Sequence, residues 1–276
     1  MDSKDNLLNY IVNKENNNLV QGIIFENFSI DRKNLSKMNF INCSFQNVEL
    51  NECDLSNSKF NGSNFINCKF IDCKGYDGEF NKCIMNGTDF TLTDFSNSEM
   101  NDTNINRCKF DVCNMSKTDL SGSEIQTTSF RSTLLFGANL RTCIFVDDDF
   151  GKTKFIHTAI SNSRFENCTL NGIPLNEVQN ASLSNCRFVR CDFAQSDMSN
   201  MELDETKFNS CNIRGVNFTG SSLMFSDFEN SITGNSNFMR CRFKNTNFTG
   251  CDESGMLFDE RIDVNDLIGI KLENKY

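Results

Sequence analysis

From Phe25 to Leu170 the chain carries a large apolar residue at nearly every fifth position. Of these 30 positions 29 are apolar, and Gly75 is the exception. The phase then slips. A second series runs every fifth residue from Val178 to Phe258, with 15 of 17 positions apolar and Thr233 and Glu253 the exceptions. The two series hold 24 of the 27 phenylalanines, so the pattern is structural. Two residues before most centres stands a small residue, as at Ser58, Ser63, Thr88, Thr93, Ala138 and Ser226, and the other positions are mostly polar or glycine. A period of five matches neither a helix, at about 3.6, nor a plain strand, at about 2. It matches a short extended piece followed by a turn. In an extended piece the small residue and the centre point to one face. The Asn, Asp, Ser and Gly that follow are turn formers. Each unit predicts one side of a coil, with two side chains inward and three outward. One unit buries almost nothing, whereas stacked units bury a continuous core.

The motif small–polar–Leu/Phe–polar–polar resembles that of the pentapeptide repeat family, over roughly residues 25–258. The resemblance implies an all-β fold, a right-handed quadrilateral β-helix with about 20 residues per coil. About twelve coils at the strand spacing of ~4.8 Å would make a rod on the order of 55 Å long. Phe70, Phe90, Phe110, Phe130 and Phe150 should then form one column, and Phe188, Phe208, Phe228 and Phe248 another. Three segments follow from the pattern. Residues 1–20 are expected as a helical cap, with Leu7, Leu8, Ile11 and Val12 on one side. Residues 21–258 are the solenoid, broken near 171–180, "NGIPLNEVQN", which holds the only proline, Pro174. That break is either a three-residue insertion or a two-residue deletion, read as a kink or small loop between two stacked segments. Residues 259–276 are expected to cover the open end. There Asp263 would cap a short helix, "VNDLI", and "IGIKL" would follow as a strand.

All 14 cysteines stand two residues before a centre. That placement reads as small, buried filler alternating with Ser, Thr and Ala. Cys68, Cys73 and Cys83 fall in one coil, but no histidine is near and the spacing is not that of a zinc site. Cys53 with Cys73, and Cys191 with Cys211, would be neighbours within disulfide reach. A reducing cytoplasmic compartment, expected from the lack of a long apolar leader or span, favours free thiols. The lone histidine, His157, faces outward, and no nucleophile, phosphate-loop or metalloprotease motif occurs. The expectation is therefore a protein that is not an enzyme and needs no cofactor. A net charge of −10 argues against nucleic-acid or anionic-membrane binding. It suits a basic surface on a protein partner.

Interruptions of the repeat are the candidate functional places. In "KGYDG", Lys74, Gly75, Tyr76, Asp77 and Gly78, glycine replaces both a centre and a small residue, so the wall is expected to bulge or loosen. In "VDDDF", Asp148 takes an inward slot between the surface carboxylates Asp147 and Asp149. "NFINCKFIDCKGYDGEF", "NIRGVNF" and "DVNDLIGIKL" are similar to segments of the quinolone-resistance (Qnr) type of this family. The resemblance implies binding to DNA gyrase or topoisomerase IV by an acidic rod that mimics DNA. It also implies a homodimer through the C-terminal tail, with Met256, Phe258, Val264, Leu267, Ile268, Ile270 and Leu272 as the contact. Qnr-type proteins carry projecting loops of extra residues, but here the register passes Gly75 with no insertion. A general interaction rod with another protein partner is the alternative.

Overall fold

The computed structural model describes residues 3–13, 18–178, 183–260 and 262–270, with side chains of the first segment described for residues 3–9. Its body is a β-solenoid of about twelve turns. Successive coils pair in parallel, and residue i meets residue i+20 along most of the rod, as in Phe25↔Phe45, Phe45↔Phe65 and Phe65↔Met85. Four five-residue units fill each such step, so the rod has four faces. We name each face after one ring of its column: Phe45, Phe70, Phe95 and Phe60. The Phe45 face carries most of an eleven-stranded parallel sheet. The turns between faces place the second residue after nearly every centre at positive φ, often with Asn, Asp or Gly there, such as Asn67 at 51° and Asn97 at 57°.

The rings stack as expected. Phe90, Phe110, Phe130 and Phe150 are 4.9, 5.3 and 5.1 Å apart in sequence, with Phe70 continuing the column at 5.4 Å. The column Phe188, Phe208, Phe228, Phe248 forms too. It is not a separate one, because Phe165 stacks on Phe188 at 5.0 Å and joins it to the Phe45 column.

That join resolves the break as a three-residue insertion. Phe165 pairs with Phe188, Thr169 with Asp192 and Pro174 with Asp197, each 23 apart, and the step returns to 20 at Asp192↔Asn212. Leu175 still occupies a centre and is 1% exposed, so the first series extends one unit past Leu170. The insertion follows Glu177, whose carbonyl still accepts from the His157 N–H 20 residues back at 2.6 Å. Pro174, which has no N–H to give a ladder, leads into the 3-10 turn Leu175–Glu177. The ring column runs on across the break from Phe165 to Phe188, and residues 179–182 lie outside those described.

Both ends are covered. Helix Ser3–Asn13 packs on strand Ile24–Asp31 and buries Leu7. Leu8 is half-buried, and the side chains of Ile11 and Val12 lie outside those described. At the other end the expected helix is only the 3-10 turn Val264–Asp266, with Asp263 accepting the Asn265 N–H. The strand is Leu267–Ile268, inside the segment expected as helix; Gly269 and Ile270 are not strand, and Lys271 and Leu272 lie outside the described residues. The strand pairs with Thr246–Asn247. Its Ile268 carbonyl accepts the Phe248 N–H at 2.7 Å, so it satisfies the last coil's edge.

Candidate interaction surface

The inner wall explains the small slot before each centre. Its hydroxyl accepts the N–H of the slot residue one coil back and donates to the carbonyl of the centre 23 residues back. Ser58 Oγ accepts from the Met38 N–H and donates to Leu35 O at 2.8 Å, and Ser63 does the same between Cys43 and Phe40. The cysteines donate in the same way: Cys68 Sγ to Phe45 O at 3.3 Å, Cys73 Sγ to Leu50 O at 3.2 Å, Cys83 Sγ to Phe60 O at 3.0 Å. All 14 are free thiols, and burial pushes Cys68 up to about 11 and Cys83, Cys108, Cys143 and Cys186 up to about 12. Those five are protonated donors at neutral pH rather than reactive thiolates.

Asp148 sits in such a slot, 1% exposed. Its Oδ1 accepts the Thr128 N–H at 2.7 Å, but Oδ2 has no partner. Burial raises its carboxyl to about 8. Outside the wall, Asp147 accepts from Asn167 Nδ2 and Asp149 pairs with Arg131.

The expected bulge at Gly75 and Gly78 is absent. Gly75 N–H donates to Asp94 O at 2.7 Å, Gly78 O accepts the Glu99 N–H at 2.9 Å, and Lys74 bridges Asp54 and Asp94 in the ladder. A Cβ on Gly75 would meet the Phe95 ring at 3.0 Å, so the ring of the next coil occupies the space the missing side chain leaves. A Cβ on Gly78 would lie 2.7 Å from the Phe80 ring and 2.8 Å from Gly75 O. Lys74, Tyr76 and Asp77 therefore project from an intact wall on the Phe95 face. Asp149 lies on the Phe70 face, four bridges beyond Lys69, so the two candidate clusters are not brought together.

Of the expected dimer contacts, Met256 and Leu267 are buried within the chain at 3% and 8% exposure. Val264 and Ile268 are exposed, Phe258 and Ile270 are half-buried, and Leu272 lies outside the described residues. Leu257, which the sequence did not single out, is exposed too, on the Phe95 face, whereas Ile268 lies on the Phe45 face.

Charge is spread around the rod. Acidic residues occur on all four faces, for example Glu166, Asp89, Asp94 and Glu99, and each face also carries lysine or arginine. Along the ladders opposite charges commonly meet one coil apart: Lys59–Glu79 at 2.5 Å, Glu49–Lys69 at 2.6 Å, Arg32–Glu52 at 2.8 Å. Among the described residues no helix is long and apolar enough to cross a membrane.

A family model described as a pentapeptide repeat region matches residues 181–258, and one of pentapeptide repeats in eight copies matches 39–74 and 79–111. The comparison with curated proteins finds no match. Among solved structures the chain is similar to HetL of the cyanobacterium Nostoc, a pentapeptide repeat protein involved in heterocyst differentiation regulation. They share 15% identity over 97% of this chain and 94% of that one, with a TM-score of 0.39. It is similar to full-length QnrB1, a plasmid-mediated fluoroquinolone resistance protein, at 18% identity over 84% of this chain and 94% of that one, with a TM-score of 0.27. Rfr23, a pentapeptide repeat protein of the cyanobacterium Cyanothece, matches at 15% identity over 53% of this chain and 93% of its own, with a TM-score of 0.25. With its five-residue units stacked in four columns and family models matching on both sides of the insertion, the chain belongs to the pentapeptide repeat family.

Proposed function

We propose that the protein is a non-enzymatic docking rod that binds another protein along its faces. The observation that carries this reading is the outer surface. A ladder of paired backbone fixes three outward side chains per unit at a constant pitch, so each face is a rigid array that costs little ordering on binding. Co-purification of the full-length protein from its native cells, followed by reconstitution of the purified pair, tests it. A rod that reconstitutes with no polypeptide would overturn the reading.

A second reading is a DNA mimic that binds gyrase or topoisomerase IV and relieves quinolone poisoning. The net charge of −10 and the stacked acids Glu79, Glu99 and Asp119 favour it. Against it, that acid ladder spans three rungs only and carboxylates lie on all four faces between cations, whereas a duplex presents unbroken rows of phosphate. Gyrase supercoiling with ciprofloxacin, with and without the protein, separates the two. Protection would favour the mimic, and no protection with no gyrase binding would remove it. The exposed apolar residues at the C-terminal end further support a homodimer joined there.

A further inference from the structure

On this acidic rod one ladder is basic. Arg164, Arg187 and Lys207 are direct partners on three successive rungs of the Phe45 face. Like charges set directly opposite one another in a sheet are destabilising. Elsewhere the same outward position alternates sign, as in Lys69–Asp89–Lys109 and Asp54–Lys74–Asp94. The acid ladder Glu79, Glu99, Asp119 repeats a sign but is compensated internally. Lys59 and Asn61 bind Glu79, Asn81 binds Glu99 at 2.9 Å, and Asn139 binds Asp119 at 3.0 Å. The basic ladder has no such relief at its centre. Arg164 and Arg190 pair with Glu166, but Arg187 and Lys207 are exposed and have no ion-pair partner among the described residues. Asp227, the next rung after Lys207, gives its two oxygens to Asn209 and Asn247 at 3.0 and 2.9 Å.

Arg187 and Lys207 line a cleft of about 400 Å³ at the corner of this face, completed by Asn185, Cys186, Glu205 and the exposed ring of Phe225. We propose that this cleft and ladder dock a short acidic segment of a partner protein, with carboxylates on Arg187 and Lys207 and an apolar side chain against Phe225. Three features select that occupant. The ladder ends at Ile144 on one side and Asp227 on the other, so it fits an anion about 10 Å long and not an extended duplex. Glu205 on the cleft's lip repels a bare polyphosphate but accepts a peptide's amides. Phe225 offers apolar contact that a phosphate chain cannot use.

This proposal rests on the reading of the protein as a docking rod. Full-length protein is titrated into fluorescein-labelled hexaglutamate and followed by anisotropy, with hexaglutamine and a 12-base-pair duplex as the other arms. The wild type should bind hexaglutamate in preference to both. R187Q/K207Q should weaken that binding about tenfold or more, whereas K117Q/K152Q, with the same change in net charge, should leave it unchanged. Equal loss in the two double variants, equal binding of hexaglutamine, or tighter binding of the duplex would overturn it. Melting of R187Q/K207Q should occur at or above the wild-type temperature, since the variant removes like-charge repulsion. A lower melting temperature would assign both cations to holding the fold and overturn the proposal. Failure here beside a reconstituted partner complex removes the ladder alone, while failure of both removes the docking reading as well.

Discussion

Asp148 occupies a slot that on the adjoining coils holds a hydrogen-bond donor, Thr128 and Cys168. Thr128 donates to Gln126 O and Cys168 to Glu166 O, the carbonyl two residues back, which here is Val146 O. An ionised carboxylate cannot donate, so burial and the empty donor role both favour the protonated acid. The folded carboxyl titrates at about 8 against an ordinary 3.8. Between those values the folded chain holds a proton that the unfolded chain has released, so stability falls as pH rises through that window and levels off above it. D148T supplies the donor without the titration. It should be more stable than the wild type by on the order of 4 kcal/mol at pH 7, and its denaturation midpoint should vary less between pH 5 and 8. Parallel pH dependence in the two proteins would sink this assignment. The glycines give a second test at the same scale. A Cβ on Gly75 would meet the Phe95 ring at 3.0 Å and Asp94 O at 3.4 Å, whereas one on Gly78 would meet the Phe80 ring at 2.7 Å and the Gly75 carbonyl at 2.8 Å. G78A should therefore cost about 1–3 kcal/mol and G75A less. The reverse order in urea unfolding would show that the wall is loose there.

Within one coil, the centre and slot positions carry the stability. Phe110 is sandwiched between Phe90 and Phe130 at 4.9 and 5.3 Å and is fully buried, while Phe136 is 40% exposed and rests edge-on against His157. F110A should cost about 3–5 kcal/mol through the cavity it opens in the column, and F136A less than about 1 kcal/mol. Similar thermal shifts in the two variants would contradict the column. This much was legible in the sequence, because inward positions recur every five residues and recurrence needs no knowledge of which coil lies next. What depends on the next coil was not legible. Gly75 looks like a gap until Phe95, 20 residues on, is seen leaning into it. The break at 171–180 moves the phase equally for an insertion or a deletion, and only the Phe165–Phe188 stack decides between them. The basic ladder is hidden for the same reason. Twenty residues after Arg164 stands Ser184, and Arg187 aligns with it only through the three inserted residues. Cysteine as filler was half the account, since spacing shows burial but not the carbonyl each thiol reaches.

For the whole molecule the open question lies at the C-terminal end, where a coil's edge and core would otherwise meet water. Leu267 and Met256 turn inward and close the core, and the Ile268 carbonyl satisfies the last edge. The same cap also turns apolar side chains outward: Val264 is 54% exposed and Ile268 47%. A protein of net charge −10 that exposes Val264 and Ile268 on the cap at one end, with Phe258 and Ile270 half-buried in the same segment, has reason to cover them with a second copy. Deleting residues 259–276 would not test this cleanly, because it also strips the strand that pairs with Thr246–Asn247 and uncovers Phe248. Val264→Asp with Ile268→Asp changes only the outward side chains and leaves Leu267 and the backbone ladder in place. Light scattering should then give a dimer for the wild type and a monomer for the double variant, with melting of the monomer still cooperative. A monomeric wild type would remove the dimer. A double variant that stays dimeric would move the contact to another face of the rod.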